Sequence, residues 1–503
     1  MSSSKQIKLG ALLSYVAIAV NIITGLIYTP WMVETIGKSQ YGLYTLAHSV
    51  ITLFLFDFGL SSATGRYLSK YNAEGNREAA EGFLGAVYKL YLIIDAVIVV
   101  ILTVMFFMLD RIYVNLTSQE IQQLKVVYLI SGLFSVINFP FVTFNGILSA
   151  YEKFAYLRAA DLLCRLGNVA LTVLALLMGY GLYALVTVHA VVGILTLVLK
   201  FLMIRKMTPA RAKFRGTPKG IYKDIFGFSV WVTLTSLAAR LVFTITPSIL
   251  GIVAGSAAIA VFGIVSTIEG YTYTVTTAIN GMFMPKISRI IASGNAEKDL
   301  NRLLISVGRF QFALNGLIVA GFAVVGKAFI DLWMGADYRQ AYYGILLVII
   351  PGMFYNALQI ANTSMIVTNK VKLTACVSIL TGVVNVCLSF PLSAHFGALG
   401  ACMSIGTAYL DRDLALHLVY HRELPVDIPG FIRKCYLRMS APLILTILCG
   451  SLLNFWIADG GWGRFLLKAS LTAAVYAVLT VVVGLTGQER RKIMDYLPKR
   501  RNA

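Results

Sequence analysis

Apolar runs of about twenty residues recur along this chain from Leu9 to Leu485, with little between them. A helix needs roughly 20 apolar residues to cross ~30 Å of hydrocarbon, so such a chain has few alternatives to a bundle of membrane-spanning helices. A transmembrane barrel would show short alternating segments instead. Charged residues make up only 13% of the sequence, against about 25% in soluble domains. The expected fold class is all-α and polytopic, with about 14 crossings. They fall near 9–29, 40–64, 82–109, 124–148, 155–180, 182–204, 224–250, 256–283, 303–327, 341–367, 371–393, 397–420, 436–457 and 463–485. The twelfth is interrupted by Asp411-Arg412-Asp413.

An even number of crossings places both termini on one side. The formal charge of +20 then needs an explanation, and the loops supply it. The segment after the sixth crossing carries Arg205, Lys206, Arg211, Lys213, Arg215, Lys219 and Lys223. The tail adds Arg490, Arg491, Lys492, Lys499, Arg500 and Arg501. Loops on the opposite side are poor in Lys and Arg. Basic loops are retained in the cytoplasm, so both termini are expected there, and nucleic acid is not needed as a partner. The same loops suit contact with membrane lipid headgroups. Lys5 and Lys8 precede the first run without a small-residue cleavage site after it, so that run reads as a retained helix. The six cysteines form no CxxC pair and lie mostly in apolar segments, so neither a disulfide framework nor a metal site is expected.

The chain repeats itself at an offset of about 216–219 residues. Thr29-Pro30 meets Thr246-Pro247, Ala73-Glu74-Gly75-Asn76 meets Ala292-Ser293-Gly294-Asn295, Lys153 meets Lys370, and Asn168 meets Asn385. Six crossings separate the copies, which makes the repeat parallel. The expected organisation is a first lobe at 1–204, a basic linker at 205–223 and a second lobe at 224–420. Two additional crossings at 421–487 and a basic tail at 488–503 follow. Two lobes about a midplane site are the architecture of a transporter that works by alternating access.

Leu12-Leu13-Ser14-Tyr15, Thr29-Pro30, Ile36-Gly37-Lys38-Ser39-Gln40-Tyr41-Gly42-Leu43-Tyr44, Asp57-Phe58-Gly59-Leu60 and Arg66-Tyr67 together form a pattern. It resembles the oligosaccharide-flippase family (Wzx-like, polysaccharide biosynthesis and export) of the multidrug/oligosaccharidyl-lipid/polysaccharide exporter superfamily. The crossing count and the six-plus-six repeat fit along nearly the whole chain. The resemblance implies a flippase for polyprenyl-diphosphate-linked oligosaccharides that serves envelope polysaccharide synthesis in the inner membrane. Polymerase and ligase machinery are the partners it implies. The last two crossings are similar in placement to those flanking a lipid-tail groove in the lipid II flippase branch.

Flipping requires a wet, polar path for glycan and diphosphate. Arginine suits a diphosphate because its planar fork pairs phosphate oxygens and stays charged. The candidates are Arg240, in the middle of the seventh crossing, Arg165 in the fifth, and Arg309 at the start of the ninth. Asp161 lies four residues before Arg165, a spacing that allows an ion pair within one helix. Arg309 also suits a snorkelling role. Asn21, Thr24 and Tyr28 recur on one face of the first helix, and Tyr271 and Tyr273 lie beside Glu269. These groups suit a sugar path, or plain hydrogen bonding between helices. Asp57, Glu269 and Asp95 are the acids available to couple the cycle to an ion or to pair with an arginine. A carboxylate such as Asp57 costs roughly 2.5–3.5 kcal/mol to insert, so it should face protein or water. His48 and Lys89 read as packing and snorkelling residues. Asp411-Arg412-Asp413 spells D-x-D, a pattern of some glycosyltransferases, but it lies in an apolar helix and reads as an internal ion cluster. No P-loop and no metal-ligand set is present, and no enzyme or cofactor is expected. The competing readings are a cation-coupled drug exporter, an integral-membrane glycan-synthesis enzyme and a scaffold.

Overall fold

The computed structural model describes residues 3–55, 58–214, 221–280, 283–292, 296–368, 370–457, 460–487 and 490, and every regular element among them is helical. The chain forms two compact units. One comprises Met1–Gly263 with Ser378–Ala401, the other Ile264–Val377 with Cys402–Ala503.

The first unit runs α1 (Ser3–Ile36), α2 (Lys38–Phe54), α3 (Leu60–Ala73), α4 (Arg77–Ile112), α5 (Ser118–Asn138), α6 (Thr143–Ala150), α7 (Phe154–Leu177), α8 (Gly181–Met207), α9 (Ile221–Arg240) and α10 (Thr246–Val253). The chain leaves it within α11 (Ser256–Asn280). The second unit follows with α12 (Met284–Ala292), α13 (Ala296–Trp333), α14 (Gln340–Ala357) and α15 (Gln359–Val367). Then α16 (Val371–Phe396) returns to the first unit, and α17 (Ala398–Glu423) leads back to the second. α18 (Ile428–Phe431), α19 (Arg438–Trp456) and α20 (Gly461–Leu479) end the described helices, with π-helical turns at Ile432–Leu437 and Thr480–Gly484.

Among the described residues ten helices are long and apolar enough to cross a membrane. There are eleven if α14 and α15, bent by 50° at their junction, count as one crossing. Their outer faces are oily, as a lipid solvent demands: Ile27, Phe107, Leu177 and Phe455 are among the exposed large side chains. Fourteen crossings are therefore not established by length and composition. The other three expected crossings fall on α2–α3, α9–α10 and α17.

Each of the three departs from a plain apolar helix for a physical reason. α2 ends at Phe54, and the chain re-enters helix through Gly59, whose φ of 70° suits a residue without a Cβ. α9 ends at Arg240, and helix resumes with Pro247 in the first turn of α10. The proline ring would collide with the carbonyl four residues earlier, so the helix breaks just ahead of it. α17 carries the three charges at 411–413.

Two features organise the ends of the first unit. At one end the non-helical segment 208–214 folds back along α4. The Lys213 amide donates to the Glu81 carbonyl at 3.0 Å, and Lys213 Nζ pairs with Glu81 Oε2 at 2.8 Å. This carboxylate beside it raises the Lys213 pKa. Arg77 holds the other Glu81 oxygen at 2.9 Å. Gly85 makes the fit possible, since a Cβ there would strike the Lys213 carbonyl. Ala210 of the segment packs into an apolar cluster with Leu84, Phe144, Ile147 and Ile204.

At the opposite end three helix N-termini converge on Glu120. Its carboxylate closes a capping box with Thr117 at the start of α5. It also accepts Ser39 Oγ from α2 and Ser256 Oγ from α11, each at 2.5 Å. The partial positive charge of helix N-termini favours an anion at that point. Gly42 permits the approach, because a Cβ there would meet the Ser256 carbonyl.

Candidate functional site

The first unit carries a polar junction where two helices are broken. Arg240 closes α9 and donates from Nη2 to the Leu55 carbonyl at 3.2 Å, in the break between α2 and α3. Asn385 of α16 donates Nδ2 to the Leu241 and Val242 carbonyls at 3.0 and 3.2 Å, satisfying groups that the α9–α10 break leaves open. Ser49 of α2 donates to the Thr244 carbonyl. Thus Arg240 does not sit within a continuous helix, as the sequence suggests, but at the C-terminal end of an interrupted one. Cations are favoured there by the carbonyl dipoles. Asp57 lies outside the described residues.

A second polar strip runs along α1 and α7. Asp161, Arg165, Asn168 and Thr172 fall at helical spacing on one face of α7, and Asn21, Thr24 and Tyr28 do so on α1. The Tyr28 hydroxyl is hydrogen-bonded to Thr172, which also donates to the Asn168 carbonyl at 2.6 Å. The Oδ1 atoms of Asn21 and Asn168 are buried with no hydrogen-bond partner among the described residues.

The expected Asp161–Arg165 pair is not formed. Asp161 instead pairs with Lys200 of α8 at 2.8 Å and with Arg158 at 3.5 Å. Lys200 is 8% exposed and also donates to Asn145 Oδ1 at 3.0 Å. A buried ammonium needs a carboxylate more than an exposed guanidinium does, and it takes this one. Arg165 is exposed, forms no ion pair among the described residues, and lies within electrostatic reach of Tyr44. Asp95 is half-buried on α4, and its Oδ1 finds no hydrogen-bond partner among the described residues.

The second unit holds the remaining candidates. Arg412 of α17 is sandwiched between the rings of Tyr355 and Tyr409, at 3.7 and 4.0 Å from their centroids. Such stacking holds a guanidinium by its faces and leaves its edge for an anion. Arg412 Nε is 3.9 Å from Asp413 Oδ1, and the Arg412 Nε and Nη2 atoms have no hydrogen-bond partner among the described residues. Glu269 is within electrostatic reach of Arg412, as is Tyr273, one helical turn further along α11. Tyr273 therefore shares the charged face with Glu269, whereas Tyr271, two residues on, turns to another. Arg309 is 6% exposed and donates Nε to the Lys434 carbonyl at 2.8 Å, within the π-helical turn. It is an internal tie rather than a snorkelling side chain.

Sequence reading missed Lys200, Tyr355 and Tyr409, and it left Arg412 in an undivided ion cluster. Their signals were single polar residues in apolar runs, which do not reveal which helices face one another.

Oily outer faces, with charged and amide groups at helix breaks, define a polytopic membrane protein. Its fold is similar to that of lipid II flippase MurJ in an inward closed conformation. The TM-score is 0.74 at 14% identity, covering 97% of this chain and 99% of that one. It is also similar to an inward-facing multidrug resistance MATE family transporter of the MOP superfamily, with TM-score 0.64 and 14% identity over 86% and 99% of the two chains. The chain belongs to the polysaccharide biosynthesis protein family, whose pattern matches residues 9–292. It is 22% identical to the uncharacterised membrane protein EpsK of Bacillus subtilis (strain 168) over 94% of this chain and 95% of that protein. A Shigella flexneri protein provisionally named an O-antigen transporter is 24% identical over 41% of this chain and 48% of its own. The resemblance drawn from the N-terminal motifs therefore holds.

Proposed function

We propose that this protein flips a polyprenyl-diphosphate-linked oligosaccharide across the cytoplasmic membrane by alternating access, with both termini in the cytoplasm. The observation that carries this reading is Arg240 at the meeting of two broken helices. Interrupted helices at membrane depth mark substrate sites in transporters, because they expose main-chain groups where a polar ligand can use them. A guanidinium at that point matches a diphosphate. The α1–α7 strip, with the open carbonyl groups of Asn21 and Asn168, suits sugar hydroxyls, and Arg165 adds positive charge along it. The lipid II flippase fold and the provisional O-antigen transporter relative support a lipid-linked glycan as cargo. In this reading Asp57, Asp95 and Glu269 are the acids that answer an ion gradient. Arg309 holds structure rather than substrate. Polymerase and ligase partners would consume the flipped product.

Binding of a purified polyprenyl-diphosphate glycan to the detergent-solubilised protein tests this. Arg240→Ala is expected to weaken binding at least tenfold, while Arg309→Lys leaves it unchanged. Equal affinity of the Arg240→Ala variant would remove that arginine from the substrate path.

A further inference from the structure

A cavity of about 390 Å³ opens in the first unit between α4, α6, α8 and segment 208–214, away from the polar junction. Its volume lies in the range of ligand pockets, about 300–1,000 Å³. Most of the wall is apolar and aromatic: Phe141, Phe144 and Phe201 line it, together with Phe214 of the segment. Among the described residues the charged side chains that line it are two arginines, Arg205 and Arg211. Arg205 lies 5.4 Å from the Phe201 ring centroid, and Arg211 Nη1 donates to the Ala210 carbonyl at 2.7 Å. Neither forms an ion pair among the described residues. The two cationic groups flank a chamber whose lining, among the described residues, includes no carboxylate; Glu81 borders a smaller cavity that Arg211 also lines, and is itself held by Arg77 and Lys213.

Through Phe201 the chamber borders an exposed oily stretch of α8. Phe201 is 44% exposed, and Leu195, Val198 and Leu202 on the same helix are exposed too. An occupant arriving from that side comes through hydrocarbon. It must be oily enough to fill an aromatic chamber and anionic enough to answer two arginines at its rim.

We propose that this cavity binds one anionic phospholipid of the surrounding leaflet, with an acyl chain among the phenylalanines and the phosphodiester between Arg205 and Arg211. Basic pockets between membrane helices take anionic headgroups in this way. The bound lipid would bridge α8 to segment 208–214 and hold that segment on α4. This site is independent of the glycan path and stands whether or not the protein is a flippase.

Native mass spectrometry of the full-length protein, released from detergent containing phosphatidylglycerol or phosphatidylcholine, tests the proposal. One phosphatidylglycerol is expected to remain bound under conditions that strip phosphatidylcholine. Removing both guanidinium groups, with Arg205→Ala and Arg211→Ala, should weaken that binding roughly 30-fold, at about 1 kcal/mol for each basic residue. Lys206→Ala, which removes a charge outside the lining, should leave it unchanged. A filling substitution, Ala212→Trp, should expel the lipid while both arginines stay. Equal retention of the two lipids, or equal retention by the double variant, would overturn the proposal. Displacement by inorganic phosphate alone would make this a free-anion site, and preference for a polyprenyl phosphate would make it a carrier site; either result would also overturn it.

Discussion

Replacing Glu120 should loosen three helices at once. Its carboxylate takes hydrogen bonds from the Thr117 amide at 2.9 Å and the Thr117 hydroxyl at 3.0 Å, and from Ser39 and Ser256 at 2.5 Å each. Losing the cap alone costs about 1 kcal/mol. A hydrogen bond to a charged group contributes about 1.5–3 kcal/mol. The lower figure applies here because the group is only partly buried. Glu120→Ala should therefore cost about 4 kcal/mol, with roughly 3 of that in the ties to α2 and α11. Thr117→Ala should cost only about 1 kcal/mol. Ser39→Ala and Ser256→Ala should each cost about 1.5 kcal/mol, and neither serine variant should add to Glu120→Ala. The assay is reversible unfolding of purified protein in mixed micelles with increasing denaturing detergent, read as double-mutant cycles. If Glu120→Ala costs no more than Thr117→Ala, Glu120 is a helix cap and nothing else, and the reasoning about converging N-termini fails.

Gly85→Ala should free segment 208–214, because the new Cβ would strike the Lys213 carbonyl; faster trypsin cleavage after Arg211 and Lys213 reads this. An ordinary helix would gain up to about 1 kcal/mol from the same change, so the sign is diagnostic. The Lys213–Glu81 tie should persist from neutral pH upward through the ordinary lysine value. The folded pKa is raised, so the tie is lost only as pH climbs through that higher value, and paired spin labels on the segment and α4 should separate there and not between pH 7 and 9. Lys200→Met should destabilise by about 2 kcal/mol, below the 3–5 kcal/mol typical of a broken buried pair because Asp161 is 39% exposed. Adding Asp161→Leu should recover most of that loss in the same unfolding assay.

Much of the architecture can be read from the residues because lipid tolerates so few solutions. Oily runs such as 182–204 have to become helices, and α8 covers that run. Arg240 stood out for the same reason, as a charge in an apolar setting. Pro247 held the information that its helix would break, although a proline in a membrane helix does not by itself fix where. Azimuth was the missing quantity. The i,i+4 spacing of Asp161 and Arg165 permitted a pair, but Lys200, on another helix, faces the same carboxylate from more deeply buried surroundings. The choice between Tyr271 and Tyr273 turns on the same rotation, 100° for each residue of helix. Arg412 was visible as a charge but not as a clamped one, since Tyr355 lies 57 residues away in sequence. Ser39 and Ser256 did carry a signal: they are 217 residues apart, within the offset of the repeat.

A flippase moves its lipid-linked glycan between leaflets. The direct measurement reconstitutes the protein in vesicles with a polyprenyl-diphosphate glycan labelled in its sugar, and follows the label's accessibility on each face with time, with and without an ion gradient. Protein-dependent exchange that falls at least tenfold with Arg240→Ala is expected. No exchange above protein-free vesicles, across several glycans and with folded protein, would contradict it.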